Sequence, residues 1–173
     1  MLTHHQISEE IPQISEEIVF SQRIRIVKKY TNEEIKYYQY FYTKTGFYPE
    51  NLIIVKDILF YFVNLEDYFS LTKKLPKMRG EIKNKKIIFI RNETKMIKLL
   101  FSFFPDTYIH DIETEIDIST KEVEFVIYFL SYKDRGIAVG RSGEYIVAVN
   151  EILNNYLSFE NSQIPIKVSC HLL

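Results

Sequence analysis

A chain of 173 residues and 20.7 kDa has room for one ordinary domain or two small ones. With 46% hydrophobic and 26% charged residues it has the make-up of a folded globular protein, and it holds neither an apolar run near the ~18 residues of a membrane span nor a secretory pattern at its start. The formal net charge of −1 conceals a segregation: residues 1–18 hold four Glu and no Lys or Arg, residues 19–91 hold 15 Lys and Arg against 7 acids, and residues 92–173 hold 7 against 12, so attraction for phosphate is expected mainly in the middle third.

In chain order, Gln-Ile-Ser-Glu-Glu-Ile occurs at 6–11 and again at 13–18, with Pro12 between the copies breaking any heptad. Residues 1–30 read as an acidic flexible extension in which 23–27 alternate as a short strand or simply lead into the next helix. A helix should start at Thr31 as N-cap, carry Ile35, Tyr38, Phe41 and Tyr42 on one face, and stop at Gly46. Residues 51–55 and 57–63 read as a β-hairpin. A helix over 65–73, a break at Pro76, a short helix over 78–82 and a strand over 86–90 follow.

The same order then recurs. Residues 94–104 form a helix ended by Pro105, 109–118 alternate as a half-buried strand, 122–130 form the next strand, two helices flank Gly140-Arg141-Ser142-Gly143, and 165–170 close the series. Two modules of about 60–80 residues, 31–91 and 92–173, therefore share one plan, and the fold class is α+β.

Residues 130–153 gather three of the five glycines (Gly136, Gly140, Gly143) and both alanines (Ala138, Ala148) in a chain that otherwise uses 13 Tyr and 13 Phe. Glycines at both ends of a four-residue loop permit positive φ and bare the backbone amides. Placed at a helix start beside Arg141, those amides suit an anion; a tight helical hairpin without ligand would use the same glycines. Tyr37, Tyr38, Tyr40 and Tyr42 offer base stacking or core packing. His4, His5, His110 and His171 lack metal-ligand spacing, the single Cys170 excludes an intrachain disulfide, and no nucleophile lies in a base-paired pattern. No enzyme, metal or cofactor is expected.

Gly-x-x-Gly between two helices, after Gly136-Ile137-Ala138-Val139, resembles a KH domain. The opening helix with Glu34-Ile35-Lys36-Tyr37-Tyr38 ahead of Thr45-Gly46, the hairpin to Val63, and the run from Arg135 to Glu144 together resemble the paired KH modules of NusA-like transcription factors, in their short archaeal-type form. The resemblance implies two tandem type II KH modules, each a three-stranded sheet packed on helices. It implies binding of single-stranded RNA in transcription elongation, termination or antitermination, with RNA polymerase as partner. By position, Gly140, Arg141, Ser142 and Gly143 would be the backbone clamp. Ile137, Val139 and Ile146 would line the groove beneath the bases or belong to the core, Lys133 and Arg135 would flank it, and the strand edge would read base edges.

The first module departs from the pattern. Lys73-Lys74-Leu75-Pro76 stands where Gly-x-x-Gly would be, so this module is expected to be degenerate. Lys73, Lys74, Lys77 and Arg79, followed by Lys83, Lys85 and Lys86, would form a secondary basic surface or a solvated charged face. A ribosome-associated or ribosome-assembly role and an RNA-free protein-interaction scaffold are the alternative functions. The excess of Ile, Lys, Asn, Phe and Tyr points to an AT-rich gene, as in a reduced organelle genome such as a plastid's or an endosymbiont genome, and so to the cytoplasm or an organelle stroma, with no membrane partner.

Overall fold

The computed structural model describes residues 20–160 and 163–173; the acidic repeat at 6–18 lies outside them. Helix α1 (Asn32–Thr45) begins because Thr31 and Glu34 cap each other. The Thr31 hydroxyl accepts the Glu34 N–H at 3.2 Å and the Glu34 carboxylate accepts the Thr31 N–H at 2.9 Å. That carboxylate is only 3% exposed, and it also pairs with Lys28 at 2.9 Å and accepts the Ile54 N–H at 3.3 Å. One side chain thus ties the helix start to the strand beside it. Gly46, at φ 80°, ends the helix by donating its N–H to Tyr42.

The first sheet consists of β2 (Asn51–Val55), β3 (Ile58–Val63) and β4 (Lys86–Arg91) in that order, with β2 antiparallel and β4 parallel to β3. The parallel return runs through α2 (Tyr68–Thr72) and α3 (Leu75–Glu81). The second sheet repeats this arrangement with β5 (Asp111–Ile116), β6 (Val123–Phe129) and β8 (Ile166–Leu172). Here β5 is antiparallel and β8 parallel to β6. Helix α4 (Met96–Ser102) precedes it, and α5 (Tyr132–Val139) and α6 (Glu144–Asn155) make the crossover. The expected α+β class and the doubled order α-β-β-α-α-β are both present.

The two sheets differ in how they are covered. All six residues of β3 are buried. Leu59, Tyr61 and Val63 pack with Phe41, Leu71 and Met78 of their own module's helices, whereas Phe60 and Phe62 join a core that includes Leu99, Phe103, Tyr145 and Val149 of the second module. This two-sided burial explains why β3 reads as an unbroken apolar run rather than an alternation. The second sheet is one-sided: Val123, Phe125, Ile127 and Phe129 enter the core, while Asp111, Glu113, Glu115 and Lys167 are exposed.

Residues 23–27, expected as a strand, form β1 (Ile24–Ile26), which pairs antiparallel with β7 (Leu157–Phe159) just past α6. β7 had no counterpart in the sequence reading. Among the described residues no helix is long and apolar enough to cross a membrane.

Cys170 is buried on β8, and burial pushes its thiol up to about 12. With so little thiolate and no access, the native protein at pH 8 is expected to react with an aromatic disulfide reagent at least ~100-fold more slowly than the urea-unfolded chain. Equal rates in stopped-flow thiol titration would contradict this burial.

Candidate nucleic-acid interface

Helix α5 starts at Ser131, whose hydroxyl accepts the Asp134 N–H at 3.0 Å, and ends at Val139. Gly140 then turns the chain at φ 79°, ψ 172°, and Arg141–Gly143 make one tight 3-10 turn closed by the Gly143 N–H on the Gly140 carbonyl at 3.2 Å. Ser142 (φ 52°) and Gly143 (φ 76°) are left-handed. Three of the four loop residues therefore have positive φ, two of them the glycines and the third Ser142. No side chain caps the start of α6, so its first-turn amides and the positive end of its dipole serve the loop.

The loop looks across a cleft of about 550 Å³ onto the α3–β4 turn of the first module. Lys83, Lys85, Lys86 and Arg79 line the far wall, Gly140, Arg141 and Glu144 the near one, and Ile58, Ile82, Ile87 and Tyr145 supply the apolar part. The cations differ in their commitments. Arg79 donates from Nε and Nη2 to the Ile87 carbonyl at 3.2 and 2.9 Å, Lys85 pairs with Glu33 at 3.3 Å, and Lys86 Nζ sits 5.2 Å from the centre of the Tyr145 ring. Lys83 and Arg141 are exposed and have no side-chain partner among the described residues.

The remaining predicted residues divide. Ile137 is 38% exposed and lines a smaller hollow with Lys86, Ile88 and Tyr145. Val139 and Ile146 are half-buried against the main core. Lys133 is exposed, and Arg135 donates from Nε to the Cys170 carbonyl at 3.0 Å. Beyond it, Asn150 brackets Val168 with two hydrogen bonds of 2.9 and 2.7 Å, and Asn154 does the same to Ile166 at 2.6 and 3.1 Å. A strand edge was expected to read base edges; the outer edge of β8 runs beside α6. It is closed at these positions because side-chain amides already occupy its N–H and C=O groups.

In the first module the Lys73-Lys74 junction is right-handed throughout (φ −64° and −84°), and Pro76 sits in the first turn of α3. No positive-φ nest of amides forms there. Lys73, Lys74 and Lys77 are exposed but do not line the cleft, whereas Arg79 and the Lys83, Lys85 and Lys86 that follow it do. The sequence reading named Lys83, Lys85 and Lys86 without joining them to the glycine loop. Only the docking of one module on the other makes them neighbours, and that leaves no local signal.

No protein-family profile and no curated protein sequence matches the chain. A solved structure described as "Crystal structure of APE1850" superposes with a TM-score of 0.56 over 82% of this chain and 100% of that one, at 18% sequence identity. At that identity the likeness is one of fold.

Proposed function

We propose that the chain is a single-stranded RNA-binding protein made of two type II KH modules, acting in transcription elongation, termination or antitermination like the NusA-like factors it resembles. The observation that carries this reading is the Gly140–Gly143 loop, with its three positive-φ residues at the uncapped start of α6, set in a β-α-α-β crossover that joins the parallel neighbours β6 and β8. In a KH module such a loop clamps the backbone of about four nucleotides. Here the clamp would hold phosphates through loop amides and Arg141, while Asn150 and Asn154 deny bases the edge of β8 from Ile166 to Val168. Binding is then tolerant of sequence and sensitive to salt. The first module keeps the frame and lacks the clamp. The cytoplasm or a plastid stroma is the compartment this reading assigns.

The test is fluorescence anisotropy of a labelled 10-nucleotide single strand with wild type and the Arg141→Asp/Ser142→Asp double variant. Both positions are exposed, and Ser142 already has a φ that Asp tolerates, so the fold should survive, as circular dichroism will confirm. Binding at least ~10-fold weaker is expected, consistent with two reversed or added charges at phosphate contacts. Equal affinity would overturn the assignment of the clamp. Co-sedimentation with ribosomal subunits rather than polymerase would move the protein to ribosome assembly.

A further inference from the structure

We infer that the lysine turn of the first module and the glycine loop of the second form one composite phosphate site, so that a single RNA strand crosses the module junction through the cleft with Lys83 and Arg141 on its two sides. The inference rests on the RNA-binding reading above and adds a second wall to it. A chain with two independent clamps would need a cluster of positive-φ residues between the paired helices of both modules; among the described residues that cluster occurs only at Gly140–Gly143, and the corresponding Lys73-Lys74 junction is right-handed. What the first module offers instead is a set of cations delivered to the mouth of the other module's loop.

Three features support a site rather than a chance charge run. First, the cleft holds five cationic side chains (Arg79, Lys83, Lys85, Lys86, Arg141) against two carboxylates (Asp57, Glu144), an excess that attracts a polyanion. Second, the cations already engaged are the ones that build the walls, while Lys83 and Arg141, one on each side, are the two without partners among the described residues. Third, the walls are held in register. The Lys86 N–H donates to the Asp57 carbonyl at 2.7 Å, pinning the turn to the β2–β3 hairpin, and Ile58 and Tyr145 from opposite modules lie in the same core. A space of about 550 Å³ falls within the ~300–1,000 Å³ of ordinary ligand clefts, enough for a short stretch of backbone.

The experiment compares a 4-nucleotide and a 10-nucleotide labelled single strand across a salt series, for wild type, Lys83→Glu, Lys36→Glu and the Arg141→Asp/Ser142→Asp variant. Lys36 is an exposed lysine of α1 outside the cleft and controls for net charge. Lys83→Glu is expected to weaken the longer strand about 10-fold, to lower its log–log salt slope by about 1, and to change the shorter strand less than about 2-fold. Lys36→Glu should leave both strands near wild type. If Lys83→Glu acts no more strongly than Lys36→Glu while the loop variant abolishes binding, the composite site falls and the clamp stands. If wild type binds neither strand, the RNA-binding reading itself falls and takes this one with it.

Discussion

Replacing Phe60 with alanine is expected to destabilise the whole protein by about 3–5 kcal/mol, the usual cost of removing a fully buried phenylalanine. Phe60 belongs to the sheet of the first module, but its ring lies 5.8 Å from Tyr145 and 6.3 Å from Phe103, both in the second. Tyr145 is fixed in turn, since its hydroxyl donates to the Phe103 carbonyl. Truncation would open a cavity bounded by both modules, and neither could close it without moving the other. The loss should therefore appear in a single urea transition with coincident fluorescence and circular dichroism curves. At this chain length it corresponds to a fall in Tm of roughly 10 °C. Two separate transitions, with only the first shifted, would show that the modules fold independently across that interface.

The second large effect is expected at Gly140. Its φ of 79° with ψ of 172° lies in a region essentially reserved for glycine. A Cβ built there would also stand 2.6 Å from the Tyr145 Cβ and 2.9 Å from the Tyr145 nitrogen. Those atoms are backbone or next to it and cannot swing away. Gly143, at φ 76°, ψ 9°, has nothing within 4 Å of the same construction. Gly140→Ala should thus cost about 2–4 kcal/mol, and Gly143→Ala about 1 kcal/mol from conformation alone. Paired chemical denaturation of the two variants checks this; a Gly140→Ala variant as stable as Gly143→Ala would mean that α6 starts farther from the loop. The contrast also explains why charge is best added to the loop at 141 and 142, where binding can be lost without loss of fold.

What the sequence revealed was what local chemistry decides. The capping box at Thr31 and Glu34, the Gly46 stop and the helix–loop–helix around Gly140 all lie within a few residues of their causes, and all appear in the structure. Pro76 was read as a break, whereas it sits in the first turn of α3, where its missing N–H forfeits nothing, so the helix begins at Leu75 rather than near 78. The remaining differences come from contacts distant in sequence. β7 is three residues long and exists because β1, more than a hundred residues earlier, pairs with it. Asn150 and Asn154 look like ordinary helix-surface residues until β8 is laid beside them. The same holds for the cleft: nothing local to 83–86 says that a glycine loop stands opposite.

The side chains that hold these sheets also shape how the molecule behaves in a crowd. A free sheet edge is a template on which another copy can add a strand, and a chain that is 15% aromatic has much to lose from such stacking. Glu34 covers an N–H on β2, Arg79 a carbonyl on β4, and Asn150 and Asn154 four groups on β8, while β5 carries Asp111, Glu113 and Glu115. The edges of the two three-stranded sheets are thus either partly occupied by side chains or guarded by charge, which disfavours strand addition by another copy at those edges.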